Sequence, residues 1–239
     1  MAVNQSLWRK VDHWLGRAGR LLLPPRCLLC QQPGADGHDL CAACAAPLQP
    51  YPTCQQCALP LPASAPACGR CLRHPPPYTH TLALGLYQFP LDRLLPRFKF
   101  HADLAAGREL ARLLADTAQH AERPQALLPV PLHPQRLRER GYNQALELAR
   151  PLAHALDLPL LPDALRRLRA TAAQSQLSAG ARRRNVRGAF ALAAATRLPA
   201  HVALIDDVMT TGATLAECSR VLLRSGVQRV DLWVVARAP

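Results

Sequence analysis

The chain has 239 residues, 49% of them hydrophobic and 19% charged, with a formal net charge of +13 at pH 7. This composition excludes a mostly disordered chain, and the length allows one large or two small domains whose core needs no disulfide staples. The charge comes from 27 Arg and 2 Lys against 16 acidic residues, which points either to an anionic partner (nucleic acid, phosphorylated metabolite or membrane surface) or to a coding bias toward Arg.

Residues 1–25 read as a first segment. Val3, Leu7, Val11, Trp14, Leu15, Ala18 and Leu22 recur at helical spacing and predict an amphipathic helix over 3–22, stopped by Pro24-Pro25. Packing on the rest of the protein is the default for such a face. With Arg9, Lys10, Arg17 and Arg20 opposite, membrane-surface association is the competing expectation. The apolar run Leu21–Leu23 is too short for a secretory signal, and no stretch approaches the ~20 apolar residues of a membrane span. The chain therefore reads as cytoplasmic.

Residues 26–77 form a second segment, rich in Cys and Pro. Eight of the nine cysteines fall into two copies of one unit, C-x2-C-x10-C-x2-C. These are Cys27, Cys30, Cys41 and Cys44, then Cys54, Cys57, Cys68 and Cys71. Each unit supplies four thiolates, a complete tetrahedral set for one structural Zn²⁺. Two residues between paired ligands let a tight turn aim both sulfurs at one ion. Sequential pairing would give two zinc ribbons and interleaved pairing a cross-brace. The sequential arrangement is favoured because each copy is self-sufficient. An iron–sulfur cluster on the same thiolates is a weaker alternative. Gln31 and Ala58 follow the second cysteine of their pairs, where Gly often sits, so some strain is expected in both knuckles. Cys218 stands apart and reads as a small buried apolar residue.

Residues 78–239 form a third segment, after Pro75-Pro76-Pro77. Strands are predicted at 82–89, 127–130, 202–205 and 230–235, and helices at 103–121, 143–156 and 213–225. A loop is expected at 131–140, and 166–188 is Arg-rich without a clear face. Strands alternating with helices predict a parallel α/β sheet. The strongest chemical motif runs from Val202 to Thr214. A four-residue apolar strand leads into Asp206-Asp207-Val208-Met209-Thr210-Thr211-Gly212-Ala213-Thr214, which opens a helix. The Thr/Gly turn and the helix N-terminus make an anion site. The two carboxylates would repel that anion and suit a diol or a metal ion. Phosphate beside a diol reads as a sugar-phosphate site.

These thirteen residues resemble the signature of type I phosphoribosyltransferases, which bind 5-phosphoribosyl 1-pyrophosphate (PRPP) with Mg²⁺. The resemblance implies that Asp206 and Asp207, the catalytic pair, hold the ribose hydroxyls while Thr210–Thr214 cradle the 5′-phosphate. Other segments narrow the match: Phe98-Lys99-Phe100, Arg136 to Arg140-Gly141-Tyr142-Asn143-Gln144, Arg167 and Arg169, Arg182 and Asn185, and Ala189-Phe190. With the double cysteine module, they resemble the ComF/GntX family of competence-related proteins. The implied architecture is an N-terminal double zinc ribbon followed by a type I phosphoribosyltransferase-like domain. The implied partners are PRPP, single-stranded DNA and membrane-associated DNA-uptake machinery. Arg136, Arg140 and Lys99 are candidates to hold the diphosphate, and residues 170–188 resemble a lid. Active transfer to an unidentified acceptor in nucleotide or cofactor metabolism is the alternative. The acceptor and the oligomeric state stay open.

Overall fold

The computed structural model describes residues 24–169, 179–193 and 197–238. The expected N-terminal helix over 3–22 and the first part of the expected lid lie outside the described residues. The chain divides into two compact units after Pro47.

In residues 24–47, the turn after Cys27 closes through Gln31 N–H to the carbonyl of Cys27, at 2.9 Å, and a short helix α1 (Ala42–Ala45) starts directly after Cys41. The second copy, which belongs to the larger unit, repeats this geometry. Ala58 N–H donates to the carbonyl of Cys54 at 2.8 Å, and α2 (Gly69–Arg73) starts directly after Cys68. Gln31 and Ala58 occupy the same place in their turns, and both are left-handed, with φ of 65° and 54°. The strain expected from the missing glycines is therefore present in both knuckles.

The larger unit is built on a four-stranded parallel sheet in the order β1 (Thr81–Leu86), β6 (Arg229–Arg237), β5 (His201–Met209), β2 (Ala126–Pro129). Helices α3 (Leu91–Phe100) and α4 (Leu104–Ala118) follow β1, and α5 (Pro134–Arg140) and α6 (Gln144–Leu156) follow β2. Helix α8 (Ala213–Arg224) connects β5 to β6. The central strands β5 and β6 are almost continuously apolar because both faces are covered, as parallel sheets require. Alternation sends Val202, Leu204, Val230, Leu232 and Val234 to one side, where they pack with Leu215, Cys218 and Leu222 of α8. Cys218 is fully buried there, as its helical position predicts.

Cys54, Cys57 and Cys71 belong to this same core. The backbone makes the join: Thr81 N–H donates to Gln55 O at 2.9 Å, and the Thr81 hydroxyl to Gln56 O at 2.6 Å. The second cysteine copy is thus part of the wall of the α/β unit.

Three stretches carry elements that the sequence pattern did not predict. Residues 91–100 form α3 despite Pro96 within it. The expected loop at 131–140 contains α5, started by Pro134 and ended by Gly141 in the left-handed region. The Arg-rich 166–188 stretch contributes β3 (Leu165–Arg167), which pairs antiparallel with β4 (Phe190–Leu192), and α7 (Ala179–Val186). Among the described residues no helix is long and apolar enough to cross a membrane.

Candidate functional site

Each cysteine copy closes on itself. Cys27, Cys30, Cys41 and Cys44 form one set and Cys54, Cys57, Cys68 and Cys71 the other, with the sulfurs of each set within 4.8 Å of one another. Four sulfurs at 2.3 Å from one tetrahedral zinc lie roughly 3.8 Å apart. The separations fit: Cys30–Cys41 is 3.6 Å, Cys30–Cys44 3.8 Å, Cys57–Cys68 3.8 Å and Cys54–Cys71 4.0 Å. Pairing is sequential. Burial raises the thiols of Cys44, Cys57 and Cys71, whereas at Cys27 and Cys68 it is outweighed by backbone N–H donors, which lower them to about 6 and about 7. These are two zinc sites of four cysteines each, complete tetrahedral sets of the kind that hold structure.

The second feature is a cavity of about 560 Å³ at the C-terminal end of the sheet, where ligands of open α/β folds bind. Strand β5 runs four residues beyond the predicted end at Ile205, because β6 pairs with it as far as Met209. Asp206 and Asp207 therefore lie within the strand. Successive side chains leave a strand on opposite faces, but both carboxylates line the cavity. The Oδ1 of Asp206 accepts the N–H of Asp207 at 2.9 Å, turning Asp206 along the chain. Burial, reinforced by the neighbouring Asp207 charge, raises the Asp206 pKa to about 7.

Beyond Met209 the chain turns at Gly212, whose φ of 71° suits glycine, and enters α8. A Cβ there would sit 2.7 Å from the Met209 methyl carbon. The Oγ1 of Thr211 accepts the Ala213 N–H at 3.4 Å, and Gly212, Ala213 and Thr214 bring the positive end of α8 to the cavity wall.

Nearly all of the expected ligand-binding residues meet here. Asp206, Asp207, Val208, Met209, Thr210, Gly212, Ala213, Thr214, Lys99, Arg136 and Arg140 line the cavity, whereas Thr211 lines a neighbouring one. Lys99 reaches the site from the last turn of α3 and pairs with Asp207, Nζ to Oδ2, at 2.9 Å. The end of α3 is held by Tyr142, whose hydroxyl donates to the Phe98 carbonyl and whose ring lies 5.7 Å from that of Phe98. Asn143 caps α6 through the Ala145 N–H at 3.1 Å and donates to Val130 O at 3.1 Å, which fixes the approach to the site.

Among the lining residues absent from the expected set, two polar ones carry weight here. Arg167 comes from β3, with its guanidinium carbon 5.3 Å from the centre of the Phe190 ring. Gln144 is buried, and its Oε1 accepts from Arg140 at 3.1 Å while its Nε2 has no protein partner. Both belong to stretches that carried the family resemblance, so a signal for them existed. The arrangement offers two carboxylates to hydroxyl groups and surrounds them with Lys99, Arg136, Arg140 and Arg167, a combination suited to a phosphorylated sugar.

Comparison with known proteins agrees with the zinc sites and identifies the family. The double zinc ribbon domain family matches residues 18–72. Competence protein F of Haemophilus influenzae is 40% identical over 209 residues, covering 84% of this chain and 91% of that protein. The DNA utilization protein YhgH of Escherichia coli is 38% identical over 228 residues, 91% of this chain and 99% of that protein. Competence protein ComFC of Streptococcus pneumoniae is 26% identical over 155 residues, 65% of this chain and 67% of that protein. With identity of this order along nearly the whole length of both sequences, and with the double zinc ribbon in place, the chain belongs to the ComF/GntX family.

Proposed function

We propose that this protein binds PRPP with Mg²⁺ in the cavity at the end of β5 and acts in the uptake and handling of single-stranded DNA. The carrying observation is the meeting of Asp206 and Asp207 with Lys99, Arg136, Arg140 and Arg167 around the N-terminus of α8. In this reading the carboxylates accept hydrogen bonds from the ribose hydroxyls. The Thr210–Thr214 turn and the α8 dipole hold the 5′-phosphate, and the four cations face the diphosphate. Mg²⁺, when bound with the ligand, supplies further positive charge to the diphosphate, and Asp206 and Asp207 are the oxygen donors suited to it. The DNA role rests on the relatives, whose names describe competence and DNA utilization.

Titration calorimetry with PRPP and Mg²⁺ on the parent protein and on Asp206→Asn/Asp207→Asn tests the site. Loss of binding in the variant is expected, and unchanged affinity overturns the assignment.

The second reading is turnover with an unidentified acceptor. It is favoured by the raised pKa of Asp206, which lets that carboxylate take a proton near neutral pH. Diphosphate release from PRPP, followed with and without DNA, separates enzyme from binding module.

A further inference from the structure

Behind the Thr210–Gly212 turn lies a second cavity, of about 510 Å³. Its walls come from α2 of the second zinc ribbon, from α7 and the residue after it, and from α8. Met209, Gly212 and Ala213 line both cavities, so one turn separates them. Five exposed arginines line the second: Arg70, Arg184, Arg187, Arg220 and Arg224. Arg220 and Arg224 are one helical turn apart and share a face of α8. The acid in the lining is Glu217, and it is engaged, accepting from Arg220 at 2.8 Å and from the Gly188 N–H at 2.8 Å.

We infer that this groove binds the phosphodiester backbone of single-stranded nucleic acid, an inference that rests on the DNA part of the proposed function. A single bound phosphate needs one or two of these cations. Five guanidinium groups spread over three elements match a chain of regularly spaced negative charges. That the strand is single follows from the proposed function. The groove lining offers the exposed His74 and the buried Tyr78 in place of exposed large aromatic rings for base stacking. Binding is therefore carried by the backbone, with little sequence preference and a steep dependence on salt.

The test is fluorescence anisotropy of a labelled oligothymidylate over a salt series, with the full chain in its zinc-loaded form. The variants are Arg220→Glu/Arg224→Glu and the milder Arg70→Ala/Arg187→Ala. The charge-matched control is Arg108→Glu/Arg150→Glu, at exposed positions lining neither cavity. The groove variants are expected to lose about tenfold or more in affinity, and the log–log salt slope to fall by about 1.4 for two lost phosphate contacts. PRPP affinity is expected to be retained, which shows that the fold is intact. An equal loss in the control, or no loss in either groove variant, overturns the groove assignment, as does a duplex of the same length binding as tightly with the same dependence on these arginines. A parent protein that binds no oligothymidylate at low salt removes the DNA reading itself, which separates the two failures.

Discussion

Arg237 donates from Nε to the main-chain carbonyl of Cys57 at 2.8 Å, joining the last residue of β6 to a zinc ligand of the second ribbon. The Nη1 of the same guanidinium donates to the carbonyls of Met209, at 3.0 Å, and Thr210, at 2.6 Å. Arg237 is only 2% exposed, so these bonds are made in a low-dielectric setting where leaving a carbonyl unpaired is costly. One side chain thus ties a zinc knuckle to the start of the Thr210–Gly212 turn.

Replacing Arg237 by Lys is expected to lower stability by about 3 kcal/mol, since an ammonium group lacks the planar fork that serves several carbonyls at once. PRPP binding should weaken in the same variant, because the Met209–Thr210 backbone loses its anchor. Denaturant unfolding and calorimetry measure the two effects. A stability change within experimental error would show that water replaces the guanidinium.

The two zinc sites should respond differently to ligand loss. Cys57 and Cys71 share a core with the sheet, and Cys30 belongs to the part of the chain before Pro47. Cys71→Ser is expected to remove one zinc and lower the melting temperature of the α/β unit. Cys30→Ser should remove one zinc and leave that transition nearly unchanged. Metal content by mass spectrometry with calorimetric melting checks both, and equal destabilisation by the two variants counts against the division.

Strain at the knuckles is open to repair. Gln31 and Ala58 are held at positive φ, which costs a residue with a side chain about 1 kcal/mol or more relative to Gly. Gln31→Gly and Ala58→Gly should each stabilise the protein by somewhat less than that, because glycine also gains freedom in the unfolded chain. Slower zinc loss to a chelator is the expected readout, and faster loss would refute the strain argument.

Asp206 predicts a pH effect with a definite sign. Its folded pKa is raised from 3.8 to about 7, so the unfolded state binds fewer protons than the folded state between those values. Its contribution to stability is complete below about pH 4 and is lost as pH rises toward about 7. Asp206→Asn removes the titration. Its stability relative to the parent should rise over that window and then level off, as read from unfolding curves at matched ionic strength. A parallel pH dependence in the two proteins would mean that Asp206 is ionised throughout.

Legibility in the sequence followed chain distance. Eight zinc ligands were readable because a C-x2-C turn is local, and the 27-residue repeat brought each set of four together within one copy. The Asp206–Thr214 turn was readable for the same reason. Lys99 was a candidate by resemblance and by its place between Phe98 and Phe100 as one of two lysines, and what carries it to Asp207 is α3, a helix that its internal Pro96 obscures. Arg167 and Phe190 stand on strands of three residues each, too short for any periodicity to register.

Length and a charge of +13 by themselves left an anionic partner and a coding bias toward Arg both open, and local motifs determined the zinc chemistry and the Asp206–Thr214 segment, since both depend on residues close along the chain. The tertiary structure decided which cations surround the carboxylates, that five exposed arginines from α2, α7 with the residue after it, and α8 line one groove, and that the second ribbon shares a core with the sheet. Those outcomes depend on burial and on hydrogen bonds such as Arg237 to Cys57, between residues far apart in sequence, which no local pattern encodes.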